Sequence, residues 1–339
     1  MSDQLFLFEP PEDDNARVAR VAAEALEARR TQAAVVAQRL PAEVAFGTSS
    51  WTFPGWAGLV YPPGLSSAAL SREGLRHYAR HPLLTTVGID RSYYAPIPID
   101  DLRQYAGQLP DGFRCCLKAP AAVTSRLAPT FGTARAAALN PDFLSVERLI
   151  ADQLEPLAVA FLPHTGPIVL EFPPGARDQR QPPAAFLEAL DRFLEQLPGD
   201  FDYAVELRDQ ALLTPGYHAV LARHGVAHTY NYWSAMPMPL AQAGVVPVET
   251  AGFVVIRLLL RPGTWYEDQR ERFRPFNRLV EPDEPMRDDV VALTARALAR
   301  GRRVYVLVNN KAEGSSPLTV EALAERLAGV LTAAGRTSG

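Results

Sequence analysis

Lys118 and Lys311 are the only lysines among 34 basic residues; every other basic residue is arginine. Where arginine stands almost throughout, a retained lysine points to a need for a compact, titratable ammonium. Biased codon usage with two leftovers is the plain alternative. Carboxylates and arginines recur at strand-like spacing. In DYAVELR, Ala204, Glu206 and Arg208 share one face, because strand side chains repeat every two residues. Such groups are costly to bury unless they are paired or used. Glu171 falls near the end of GPIVLEF, and Asp90 closes LLTTVGID. Carboxyls on adjacent strand ends suit a general acid and base acting on one substrate. The competing reading makes Glu206 the partner of Arg257 or Lys118 in a buried ion network.

The elements that must position these groups alternate. Strand-like runs are VAFGTSS (44–50), LLTTVGID (83–90), FRCCLKA (113–119), GPIVLEF (166–172), DYAVELR (202–208), VAHTYNY (226–232), FVVIRLL (253–259) and RVYVLVN (303–309). Helical patterns lie at 71–80, 99–108, 142–162, 184–197, 215–224, 286–300 and 317–334, while the gap MPMPLAQAG is short and Pro-rich. Strands alternating with helices imply parallel pairing through right-handed crossovers. The expected fold is α/β, a TIM-like (β/α)8 barrel. An open doubly wound sheet would carry a Gly-rich phosphate loop after its first strand, and SSWTFPGWAGLVYPPG contains no G-x-G-x-x-G. Residues 1–42 read as an N-terminal tail plus helix appended to a barrel over 43–335.

Barrel chemistry sits at the C-terminal ends of the strands. Those positions hold Trp51; Asp90 with Tyr93 and Tyr94; Lys118; Glu171; Glu206 with Arg208; Asn231; Arg257 with Arg261; and Asn309, Asn310 and Lys311. Glu206, Glu171, Asp90 and Lys118 are the candidate catalytic groups. Arg208, Arg257, Arg261, Trp51, Tyr93, Tyr94, Asn231, Asn309 and Asn310 are the candidate substrate contacts. After the seventh strand, RPGTWYEDQRERFRPFNR mixes arginines with aromatics, a combination that suits phosphates and bases, diluted by three acids.

In order, FGTSSWTFPGWAGLVYPPG, TVGIDRSYYAPIP, FRCCLKAPAAVTSRL, VLEFPPG, YAVELRD, FVVIRLLLRPG and VNNKAEG resemble the YecE-like family, domain of unknown function 72 (DUF72), across residues 44–330. The resemblance implies a TIM-like barrel and does not imply an activity. Three departures stand out. The second strand has Gly88 and Asp90 where the family usually carries Glu-x-Asn. Arg257 is followed by Leu258, Leu259 and Leu260 in place of an Arg-x-His-Gly segment. Lys311 stands where Asn-Asn-His is often found. They point to a diverged paralogue with altered or lost chemistry.

The chain has 339 residues, a hydrophobic fraction of 47% and a formal net charge of -4. That composition excludes wholesale disorder and a surface uniformly positive for nucleic acid. Two adjacent cysteines, Cys115 and Cys116, do not make a disulfide scaffold. The N-terminus is acidic and lacks the basic stretch of a secretory signal. A soluble protein of the reducing cytoplasm is the expectation. Of the six histidines, four fall in or at the ends of helical patterns, His164 precedes the fourth strand and His228 lies inside the sixth, so no metal is assigned. An oxygen-ligand Mg²⁺ site on Asp90, Glu171 and Glu206 is the weaker option, and no other cofactor is evident.

The expected function is binding of an anionic small molecule, phosphorylated or related to nucleic acid, at the C-terminal face. Hydrolysis of a phosphodiester or glycosidic bond is the reaction that analogy with other barrels suggests. The alternative starts from the tail. Gln4, Leu5, Leu7 and Phe8 in QLFLF are similar to the peptide by which bacterial proteins dock on the replicative sliding clamp. On that reading the protein is a non-catalytic adaptor in DNA replication or repair.

Overall fold

The computed structural model describes residues 14–129, 138–174 and 182–337. The tail peptide Gln4, Leu5, Leu7 and Phe8 lies outside them. Eight strands are β1 (Val44–Thr48), β2 (Thr86–Ile89), β3 (Cys115–Lys118), β4 (Thr165–Phe172), β5 (Tyr203–Leu207), β6 (Ala227–Tyr232), β7 (Phe253–Leu258) and β8 (Arg303–Val308). Each pairs in parallel with its neighbour, and β8 returns to β1, closing the barrel. Closure follows from the sequence pattern. One set of alternate residues packs outward against the helices, among them Val205, Leu207, Ile256, Leu258, Val304 and Val306. The other set, including Cys116, Val169, Ala204, Ala227, Val255, Tyr305 and Leu307, fills the interior.

Continuing the inward set along each strand leads to Lys118, Glu171, Glu206 and Arg257. An apolar plug at mid-barrel therefore gives way to a charged layer at the C-terminal mouth.

The short second strand has a local cause. β1 and β2 pair only through Gly47↔Thr86 and Thr48↔Val87. A Cβ on Gly47 would stand 2.0 Å from the Thr86 carbonyl oxygen, so glycine alone permits this approach. Gly47→Ala is therefore expected to destabilise the fold by about 2–3 kcal/mol, the cost of forcing strands apart in a packed core. Gly199→Ala, with open space around its Cβ, should shift stability by less than about 0.5 kcal/mol. Paired thermal melts of the two variants check this.

The pattern over 142–162 contains a helix at Val146–Leu149, a π-turn at Ile150–Leu154 and a helix at Glu155–Ala160. Pro156 has no N–H to give the Asp152 carbonyl, which explains the local loosening. The π-turn also aims the buried Gln153 at the end of β3, where its amide donates to the Lys118 carbonyl at 2.8 Å. In the Pro-rich gap the helix is a single turn, Pro239–Gln242. The N-terminal helix Asp14–Ala37, which buries Leu26 and Ala33, lies against the C-terminal helix Ser316–Thr337, with Arg29 Nε donating to Glu321 Oε1 at 3.0 Å. No helix among the described residues is long and apolar enough to cross a membrane.

Candidate functional site

Six charged side chains from the ends of β2, β3, β4, β5 and β7 meet at the mouth. Glu171 Oε2 takes Lys118 Nζ at 2.8 Å, Arg208 Nη2 at 2.7 Å and Arg257 Nη1 at 3.3 Å. Arg208 Nη2 also lies 2.6 Å from Glu206 Oε1, and Arg257 Nη1 donates to Glu206 Oε2. Arg257 Nη2 reaches Asp90 Oδ1 at 3.2 Å, and Lys118 Nζ lies 3.9 Å from Asp90 Oδ2. Three cations face three carboxylates, so this layer is balanced. Glu206 and Arg257 are 0% and 1% exposed. At that depth, pairing is what makes the charges tolerable.

The electrostatics sort these groups by role. Burial on its own would raise the Glu171 carboxyl. Arg208, Lys118 and Arg257 more than reverse that and hold it well below the usual carboxylate range. Burial on its own would lower the Lys118 ammonium, yet Asp90 and Glu171 outweigh it and the pKa is raised. Lys118 is further fixed by its carbonyl, which accepts from Ser92 Oγ at 2.7 Å, and by the Tyr93 ring 4.6 Å from Nζ. Glu171 and Lys118 are thus a settled ion pair. Cys116 faces the interior, and burial first of all pushes its thiol up to about 12, which removes it as a nucleophile at neutral pH.

Lys311 differs from Lys118. It follows β8 and is oriented by Asn309, whose Oδ1 accepts from the Lys311 backbone N–H at 3.1 Å. Among the described residues no carboxylate lies within ion-pair reach of its ammonium, which sits 4.3 Å from the centre of the Tyr266 ring. Desolvation by burial leads in lowering its pKa, and repulsion from Arg270 and Lys118 adds to it. Asp90 and Glu267 oppose only in part, and the value settles at about 8. Tyr266, Tyr94 and Trp265 are 45%, 58% and 77% exposed. Just past β5, Arg208 stacks 4.0 Å from the Trp233 ring.

Several expected contacts are engaged elsewhere. Trp51 is buried between strand and helix: its indole N–H donates to the Leu70 carbonyl at 3.1 Å and its ring meets Tyr105 edge-on. Asn231 has no exposed surface. Its amide donates to the Leu207 carbonyl at 2.7 Å, beyond the point where β5–β6 backbone pairing stops at Val205↔His228. Asn310 Oδ1 accepts from Trp56 Nε1 at 3.1 Å and from Ser316 N at 2.8 Å, tying the loop to the C-terminal helix. These three side chains make hydrogen bonds within the fold and are not among the six charged groups that meet at the mouth. Arg261 is partly exposed and pairs with Asp283 at 3.4 Å. The carboxylates that a Mg²⁺ ion would require already have Lys118, Arg208 and Arg257 as counterions. No cluster of three or more His, Cys, Asp or Glu suited to a metal occurs among the described residues, so the donor set fits a divalent ion poorly.

Sequence reasoning passed over Gln153 and Gln242. Gln242 Nε2 donates to the Asn231 carbonyl at 2.6 Å and its Oε1 accepts from the Asn231 N–H at 3.2 Å, which fixes the end of β6. Each lies in a helical segment, and nothing in its spacing separates it from a surface glutamine.

A family model described as "Protein of unknown function DUF72" matches residues 45–337. UPF0759 protein YecE of Escherichia coli (strain K12) is 32% identical over 172 residues, which are 50% of this chain and 50% of that protein. The protein of the same name from Escherichia coli O157:H7 matches to the same extent. The chain therefore spans about half the length of the curated relatives it matches. A crystal structure of a DUF72 family protein from Thermotoga maritima MSB8 is similar with a TM-score of 0.54 at 18% identity, covering 85% of this chain and 99% of that one. One from Enterococcus faecalis V583 gives 0.53 at 15% identity, covering 84% and 96%. At these identities the structural likeness bears on the fold alone.

Proposed function

The chain belongs to the DUF72 family, whose barrel form directs attention to the C-terminal mouth, and we propose that this mouth binds an anionic ligand, phosphorylated or related to nucleic acid. The observation that carries the reading is Lys311: a buried ammonium with no carboxylate in ion-pair reach among the described residues, beside a charge layer that is otherwise balanced. An anion arriving there supplies the missing counter-charge. Tyr94, Trp265 and Tyr266 offer flat faces for a base or sugar next to it.

The electrostatics argue against Glu171 as the general acid of a hydrolysis. A carboxyl held ionised by three cations has no proton to give near neutral pH.

Adenosine monophosphate titrated into the protein should quench the fluorescence of exposed Trp265 with a saturable curve. Lys311→Met should weaken binding at least about tenfold, a loss of about 1.4 kcal/mol. It should also raise stability at pH 7 by about 1–3 kcal/mol, since the folded chain no longer buries an unpaired charge. The sign follows from the folded pKa of about 8 lying below the value of free lysine. The penalty is full below about pH 8 and is relieved as pH rises toward about 10.4. The advantage of the methionine variant should shrink over that window. Wild-type protein that shows no saturable quenching at millimolar nucleotide would remove the reading.

A further inference from the structure

The two lysines of the chain meet at one mouth in opposite states. Lys118 is held by Asp90 and Glu171. Lys311 has the Tyr266 ring beside it and no acceptor within hydrogen-bond range among the described residues, yet its nitrogen is not sealed from solvent. The geometry points to Lys311 as a nucleophilic amine that forms an imine with an aldehyde or keto compound carrying a negative charge. This rests on the anion-binding reading and names the substrate class of the same site.

Three features support the assignment. An amine becomes a nucleophile when it is desolvated or placed near another cation, because both favour the neutral form. Burial does the first, and Arg270 and Lys118 do the second. The same positive potential that disfavours the Lys311 ammonium attracts an anionic group on the incoming carbonyl compound. The Tyr266 face forms one wall against which a planar carbonyl can lie.

The step balances without an oxidant or reductant. The nitrogen lone pair adds to the carbonyl carbon, forming a C–N bond as the C=O π pair moves to oxygen. A proton passes from nitrogen to that oxygen. Loss of the oxygen as water leaves the C=N bond, so one carbonyl compound is consumed and one water released. Asp90 acts on Lys311 only through its field, since it is held by Arg257 and lies near Lys118, so the proton moves between the amine nitrogen and the carbonyl oxygen or through solvent.

The test uses the full chain with glyoxylate and sodium cyanoborohydride, which reduces the imine to a stable secondary amine, followed by peptide mapping. Only two lysines and the terminal amine compete. The expected result is modification of Lys311 at least about tenfold faster than of Lys118, saturating with glyoxylate concentration, whereas the terminal amine reacts linearly. The Lys311 rate should rise with pH and level off just above about 8. Acetaldehyde, which has no charge, should react more slowly at Lys311 than glyoxylate. Lys311→Arg should lose the adduct at that position, because a guanidinium stays protonated and cannot form the imine. Labelling of Lys311 no faster than Lys118, with nucleotide binding intact, overturns the imine and leaves the binding reading standing. Equal rates for glyoxylate and acetaldehyde overturn the requirement for an anionic substrate.

Discussion

Arg257→Met is expected to lower folding stability by about 3–5 kcal/mol, the range for breaking a buried ion pair by removing one partner. Arg257 serves Glu206, Glu171 and Asp90 at once and is almost wholly enclosed. Its removal leaves Lys118 and Arg208 against three carboxylates. One negative charge is then buried without compensation, and that carboxyl takes up a proton more readily than in the parent protein. The deficit should therefore be largest near pH 7 and narrow as pH falls toward 4, because protonation discharges the excess. Urea unfolding of variant and parent at pH 7 and pH 5 measures both the size and the trend. A loss under 1 kcal/mol at pH 7 would mean that water or a rearranged neighbour replaces the guanidinium, and the mouth would not be a tightly coupled unit.

Glu171→Gln removes the carboxylate oxygen shared by Lys118, Arg208 and Arg257. A loss of similar size, about 3–5 kcal/mol at pH 7, is expected. The pH dependence takes its sign from the depressed folded pKa of Glu171. The contribution of this carboxylate is fully present above its unfolded value of about 4.3 and disappears as pH falls through the lower folded value. Variant and parent should converge in strong acid. Binding should move the other way. The mouth gains one net positive charge, and adenosine monophosphate affinity should rise about fivefold, about 1 kcal/mol for an added partly screened charge. In Arg257→Met, stability and anion affinity should fall together. Opposite signs in one variant and like signs in the other separate an electrostatic site from a scaffold whose mutants merely unfold.

Much of the barrel was legible because strand periodicity and close packing leave few choices. Val205 and Leu207 outward with Ala204 and Glu206 inward is a pattern that a parallel strand in a closed sheet satisfies and a helix does not. Strand ends were less legible. β2 runs only over Thr86–Ile89 because its pairing with each neighbour covers two residues, and pairing length is a property of two segments. Lys118, Glu206, Arg208 and Arg257 read together because each falls at the C-terminal end of a strand, and the structure gathers them with Asp90 and Glu171. Trp51 shows the limit. An indole just past a strand looks alike in sequence whether it rims the mouth or packs beneath a helix, and its partners Leu70 and Tyr105 are far along the chain. The distinct state of Lys311 was hidden for a similar reason. Its character depends on which carboxylates fail to reach it.

Arg257 extends from β7 to Asp90 after β2, with Glu171 and Glu206 of β4 and β5 on the same guanidinium. It acts as a tie-bar across the drum, joining β7 to staves with which it shares no backbone hydrogen bonds. With Cys116, Val169, Ala204 and Val255 filling the cylinder beneath it, this crosspiece lets the rim be braced through charge while the interior below is held by apolar packing.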